Sequence, residues 1–403
     1  MQIIPRKREM SFLLRWRDKD VIKVVSGVRR SGKSTLLSLF RDDLIKKGTS
    51  KKAIQSINFE DITYDRMASD YHRLYDHIKK NLVDGTMNYI FLDEIQHVDS
   101  FEKVVDALYI LPNTDIYITG SNAYFLSGEL STLLSGRYVE IKILPLSFAD
   151  YSKSERAAGK SPQQNYREYI SSSSFPFTLN LNDSESVTDY LRGTYSTVIL
   201  KDIVARLGIS DVMMLESVTS FLFDSIGSLV SSRKIADAMT SKGRKIDPRT
   251  IEKYINALKD ALLIYEAPRY NVKGKEILST LAKYYVVDIG VRRLISTSRQ
   301  PDSGHILENI VYLELLRRNY RVFVGQLKNG EIDFVAMKGD ELSYYQVALT
   351  VLDEKVLSRE LAPLEAQRDN YPKYLLTLDE VMPEANYNGI HRINALNWLL
   401  AES

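Results

Sequence analysis

A chain of 403 residues with 44% hydrophobic and 26% charged side chains has room for two or three domains with cores of their own. Its 54 basic and 52 acidic residues leave a formal net charge of +2, so any basic surface must be local. With no cysteine, disulfides, thiolate nucleophiles and zinc–thiolate sites are excluded, and the five histidines share no helix face at metal-ligand spacing. No apolar run is long enough to span a bilayer. Residues Met1 to Asp20 lack the apolar core of a signal peptide, so the expected location is cytoplasmic, with no membrane contact.

In chain order, Val21–Ser26 (VIKVVS) reads as a strand and Ser34–Lys47 as a helix. Ala53–Phe59 reads as a strand, Tyr71–Leu82 as a helix and Asn88–Leu92 as a strand. A helix at Val104–Leu111 and strands at Asp115–Thr119 and Arg137–Ile143 follow. Alternating β and α segments predict an α/β, doubly wound parallel sheet over residues 1–150. Residues 151–215 read as a linker, with four serines at Ser171–Ser174, and then a helical region. Residues 216–285 carry a helix at Arg233–Met239 and a second one started by Asp247 as N-cap with Pro248 at the first helical position. Strands at Leu263–Ala267 and Lys275–Leu278 follow, and helix, helix, hairpin is the order of a winged helix. Residues 286–403 return to α/β, with a helix at Leu307–Arg318 and strands at Tyr320–Val324, Glu331–Met337, Ser343–Ala348 and Tyr374–Thr377.

The most informative segment is Gly27-Val28-Arg29-Arg30-Ser31-Gly32-Lys33-Ser34, a full GxxxxGK[ST] match between a strand and a helix. Glycines let the backbone turn its N–H groups toward phosphate, and the positive end of the following helix adds to that field. Lys33 reaches the β- and γ-phosphates, Ser34 offers a hydroxyl to Mg²⁺, and Thr35 continues the helix. The expected ligands are therefore ATP or a related nucleoside triphosphate, and Mg²⁺. Tyr89-Ile90-Phe91-Leu92-Asp93-Glu94 is a strand ending in two acids, where a doubly wound sheet places its ligands. Asp93 would hold Mg²⁺, and Glu94 would orient and deprotonate the attacking water. Asn122, with Ser121 behind it, is the candidate for the γ-phosphate or the lytic water. Arg137 is a candidate arginine finger acting in cis or from a neighbouring subunit.

Val25–Leu36, Leu92-Asp93-Glu94-Ile95-Gln96 and Thr119-Gly120-Ser121-Asn122 resemble the AAA-superfamily ATPases common in bacteria and archaea. Those proteins carry a C-terminal domain of unknown function that resembles restriction-endonuclease folds. Tyr190–Asp202, Arg359–Glu365 and Asp369–Lys373 extend the likeness over nearly the whole chain. The resemblance implies an AAA core, a winged-helix middle and a nuclease-like C-terminal domain.

For the winged helix, Arg244, Lys245, Arg249, Lys253 and Lys259, with Arg269, Lys273 and Lys275 on the wing, are candidates to meet DNA phosphates. The competing reading is a module packed on the ATPase core or on a protein partner. For the nuclease-like part, Glu308 and Asp333 are the surviving carboxylates, Gln346 stands where an acid is needed, and Ala348 stands where the fold needs a lysine. The expectation is an eroded site without cleavage. Three functions stay open: an ATPase switch acting on the C-terminal modules, an ATP-regulated DNA-binding protein or nuclease, and a slow nucleotide-dependent scaffold. A homo-oligomer and a monomer are equally admissible.

Overall fold

The computed structural model describes residues 2–121, 134, 136–297 and 302–401. Its first sheet contains β1 (Ile22–Gly27), β2 (Ile54–Asn58), β3 (Asn88–Asp93), β4 (Thr114–Ser121) and β5 (Tyr138–Ile143), in the order β2-β3-β4-β1-β5. Every pairing in it is parallel. The sheet is covered on both faces, so its strands read as apolar runs. The period-2 alternation sends Val25, Tyr89, Phe91 and Tyr117 to one face, against Leu13 of helix Lys7–Trp16 and Leu36, Phe40 and Leu44 of helix Lys33–Lys46. Val24, Ile90, Leu92, Ile116 and Ile118 face the other way, onto helices Tyr71–Lys80 and Phe101–Tyr109. This is the doubly wound sheet expected for the first part of the chain.

The polar stretch expected to be a linker is packed. Ser172, Ser173 and Ser174 are buried. Ser173 Oγ and Ser174 Oγ donate to Asp288 Oδ2 at 3.1 and 2.7 Å, and the Ser174 N–H joins them at 2.6 Å. Composition suggested solvent, but the serines satisfy one buried carboxylate that lies 114 residues away in sequence. Helix Ser184–Thr197 then runs into a π-helical stretch, Val198–Ala205.

Further on come helix Val212–Asp224, β6 (Leu229–Val230), helices Ser232–Ser241 and Pro248–Asp260, β7 (Ile264–Asn271) and β8 (Glu276–Val286). Asp247 caps helix Pro248–Asp260 by accepting from the Arg249 N–H, as its sequence predicts. The remainder supplies helix Ser303–Arg317, β9 (Arg321–Gln326), β10 (Glu331–Lys338), β11 (Glu341–Ala348), β12 (Lys373–Thr377), β13 (Glu384–Tyr387) and β14 (Ile390–Asn394). These strands do not form a separate sheet. β7 pairs parallel with β9, so one nine-stranded sheet runs β13-β14-β12-β11-β10-β9-β7-β8-β6. The boundary expected at residues 285 and 286 therefore falls inside a continuous sheet, at the end of β8. Helix Ser303–Arg317 is buried from Ile306 to Leu315, and its buried polar residues are partnered, Glu308 by Lys283, Asn309 by the Val286 backbone and Glu314 by Arg318. No helix among the described residues is long and apolar enough to cross a membrane.

Candidate nucleotide site

The P-loop joins the C-terminal end of β1 to helix Lys33–Lys46, so its backbone N–H groups gather at the positive end of that helix. Gly27 cannot be replaced without movement, because a Cβ there would stand 2.4 Å from the Ile143 carbonyl oxygen on β5. Gly27→Ala is expected to cost about 1–3 kcal/mol, as overpacking does, seen as a lower melting temperature with nucleotide binding weakened in parallel. Gly32 sits at φ 99° as the residue before the helix, a conformation that glycine adopts without strain.

Lys33 is buried and its Nζ donates to Gly27 O at 3.1 Å, with Glu94 Oε1 at 3.7 Å. Burial lowers its pKa from the ordinary lysine value, against the pull of Glu94 and Asp93. Ser34 is exposed at the mouth, and its hydroxyl lies close enough to the Asp93 carboxylate to favour the charged form. Asp93 accepts from the Thr119 hydroxyl. Burial raises the Asp93 pKa, while the hydroxyls of Thr119 and Ser34 oppose that rise.

Glu94 follows β3 in the left-handed region, at φ 53°. A non-glycine residue there carries backbone strain, which the site holds in place. The Glu94 N–H donates to Thr119 Oγ1 at 3.0 Å, and Gln96 Nε2 donates to Glu94 Oε2 at 2.5 Å. Thr119 on β4 thus fixes both acids, a role that the sequence reading missed in favour of its neighbours. Its signal was a polar residue near the end of the strand beside the acidic one. At the rim, Glu60, Glu94 and His97 bring ligand atoms within 4.8 Å of one another.

Within the loop, Val28 is buried, Arg30 is exposed and Thr35 is half-buried. Arg29 turns away to the helical region, where its Nε lies 3.0 and 2.9 Å from the two carboxylate oxygens of Asp202 on the π-helical stretch. Its Nη1 is 3.3 Å from Glu60 Oε1. Burial would lower the Arg29 pKa, but the carboxylates of Asp202, Glu94 and Glu60 together outweigh it and hold the guanidinium above its ordinary value. A cavity of about 740 Å³ opens over this loop, walled on its far side by Ile3, Ile4, Pro176, Phe177 and Tyr190.

Asn122 lies outside the described residues. Arg137 lies at the wrong end of the sheet for a finger in cis. Its carbonyl accepts from the Ile22 N–H at the start of β1, and its guanidinium stacks 5.5 Å above the Tyr109 ring. Strands run parallel, so the five residues from Ile22 to Gly27 place it about 16 Å from the loop at ~3.3 Å per residue. That position leaves two other readings, a finger acting from a neighbouring subunit or a surface arginine, here packed on Tyr109.

In the C-terminal part the structure gathers Glu308, Asp333 and Gln346. Gln346 Oε1 accepts from the Asp333 N–H at 3.3 Å, and its Nε2 donates to Glu360 at 3.0 Å. Ala348 left the cluster with no evident lysine in the sequence, and the structure brings one, Lys283, into it from β8. Spacing within the last strands could not reveal it, because β8 comes from the hairpin. Two of the proposed phosphate contacts are also spent. Lys259 pairs with Glu266, and Arg244 donates to Ser217 Oγ at 2.8 Å.

A family model described as an AAA domain matches residues 19–152, and one described as a domain of unknown function (DUF8612) matches residues 163–301. An uncharacterized protein of Haemophilus influenzae is 41% identical over 403 residues, covering 99% of both chains. An uncharacterized protein of Methanocaldococcus jannaschii is 30% identical over 380 residues, covering 89% of this chain and 82% of the other. A Walker-type ATPase of Pyrococcus abyssi superposes with a TM-score of 0.47 at 15% identity, over 73% of this chain and 96% of its own. The chain therefore belongs to the same family as the Haemophilus influenzae and Methanocaldococcus jannaschii proteins, and its residues 19–152 form an AAA domain.

Proposed function

We propose that the chain binds Mg²⁺-ATP at the P-loop and hydrolyses it, and that its nucleotide state reaches the rest of the molecule through Arg29. The observation that carries this is the convergence of Lys33, Ser34, Asp93, Thr119 and Glu94 at the C-terminal ends of β1, β3 and β4. The buried Ser31 Oγ has no hydrogen-bond partner among the described residues, and Lys33 is desolvated, so the loop suits a phosphate. Ser34 and Asp93 are the residues that would hold Mg²⁺, which would neutralise charge on the phosphates. Water attacks the γ-phosphorus, its proton passes to Glu94, and the bond from phosphorus to the ADP oxygen breaks. Arg29 belongs to the loop, lines the same cavity as Lys33 and grips Asp202, so a γ-phosphate competes with Asp202 for its guanidinium, and the π-helical stretch feels the difference.

Calorimetric titration with Mg²⁺-ATP tests the reading. The parent chain should bind, and Lys33→Met should lose binding. Equal affinity in the two would sink it.

A second reading adds DNA. Helix, short strand, two helices and a hairpin, with β6 pairing β8, support a winged-helix module. Arg249 and Lys253 on the second of those two helices, and Lys273 and Lys275 at the hairpin tip, are exposed and make no ion pair among the described residues. Charge reversal at Arg249, Lys253 and Lys273 is expected to weaken duplex DNA binding more than about 10-fold and flatten its salt dependence by roughly 2–3 in slope. Affinity that ignores the reversal would reject this reading and leave the ATPase reading untouched.

A further inference from the structure

β8 runs past the hairpin and carries Lys283 into the C-terminal part of the sheet. There the Lys283 ammonium lies 3.0 Å from Glu308 Oε1, 2.9 Å from Glu331 Oε1 and 3.5 Å from Asp333 Oδ1. Lys283, Glu308 and Asp333 are buried, and Glu331 stands at the solvent edge. Glu308 Oε1 also accepts from the Tyr285 hydroxyl at 2.6 Å, and Asp333 Oδ2 from the Val347 N–H at 2.9 Å. The carboxylates come from helix Ser303–Arg317 and from two positions on β10, and their common point is the lysine nitrogen.

Carboxylates that converge in this way are what a hard divalent cation seeks. A lysine that assists a metal stands beside it and faces the attacking water. Lys283 instead touches all three acids. A divalent ion in contact with the same oxygens would stand within a few ångströms of the ammonium, and the repulsion between them is strong in a site with little water. Expelling the ammonium would leave a charge unpaired inside the sheet, because the stem of Lys283 is buried.

We infer that Glu308, Glu331 and Asp333 form a cation site whose resident cation is the Lys283 ammonium, so that this part of the chain takes no divalent metal. The cluster then acts as a fastener. It ties the hairpin strand to helix Ser303–Arg317 and to β10, so that the hairpin and the C-terminal strands move as one body. The inference does not depend on the ATPase reading, because Lys283, Glu308, Glu331 and Asp333 do not line the nucleotide cavity.

Lys283→Met tests it, since Met keeps an unbranched stem and removes the charge. In the absence of nucleotide, Mn²⁺ should leave the melting temperature of the parent chain unchanged. The variant should melt lower in EDTA, recover with Mn²⁺, and gain one bound Mn²⁺ by electron paramagnetic resonance. That ion should be lost again in Lys283→Met with Asp333→Asn. The inference is overturned if the parent chain binds Mn²⁺ in a way that Asp333→Asn removes, or if the folded variant gains no ion. Should the variant fail to fold with and without Mn²⁺, the parent chain decides alone. Mn²⁺ binding sensitive to Asp333→Asn overturns the inference, and its absence upholds it.

Discussion

Glu94→Gln is expected to bind Mg²⁺-ATP and to hydrolyse it about 100- to 10,000-fold more slowly than the parent chain, the usual worth of a positioned general base. The substitution keeps the shape of the side chain and an oxygen that can still accept from Gln96 Nε2, so the turn after β3 should hold. It removes the negative charge 3.7 Å from Lys33. Lys33 then has one fewer competitor for phosphate, and ATP affinity should stay level or rise. Single-turnover phosphate release alongside equilibrium ATP binding separates the two effects. Loss of binding would mean that Glu94 shapes the site, and unchanged turnover would mean that the base is another group.

The second large effect concerns stability. Lys23 and Asp115 form an ion pair in the interior of the first sheet, with side chains 0% and 1% exposed. Lys23 Nζ also donates to Lys19 O at 2.7 Å, and Asp115 Oδ2 accepts from the Asp18 N–H and the Tyr117 hydroxyl, both at 2.9 Å. Removing one member leaves the other charge buried and unpaired. Asp115→Ala should therefore destabilise the first domain by about 3–5 kcal/mol, whereas Lys23→Met with Asp115→Leu should cost far less than the two single changes together. Urea unfolding followed by the fluorescence of Trp16, in a Trp398→Phe background, isolates this domain from the rest of the chain. A single variant that unfolds at the parent's midpoint would contradict the assignment.

The legible part of the molecule was the part written locally. The P-loop, the strand ending in Asp93 and Glu94, and the helix capped by Asp247 each depend on neighbours a few residues away, and the structure places them as read. What stayed hidden depends on partners distant in sequence. Arg29 finds Asp202 173 residues later, and Ser174 finds Asp288 114 residues later. Thr119 fixes Asp93 and Glu94 only once β3 and β4 lie side by side. Lys283 escaped because β8 was expected to stop at Leu278, and its extension follows a register shift against β7 between Pro268 and Arg269. The cis reading of Arg137 failed on strand direction: a residue that opens a parallel strand cannot serve a loop that closes its neighbour.

The most direct test of the central claim is ATP hydrolysis by the purified chain with Mg²⁺, compared with Lys33→Met under the same conditions. The account predicts phosphate release by the parent chain that EDTA abolishes and the variant lacks. Phosphate released at the same rate by the variant, or none from a parent chain shown to bind Mg²⁺-ATP, would contradict it.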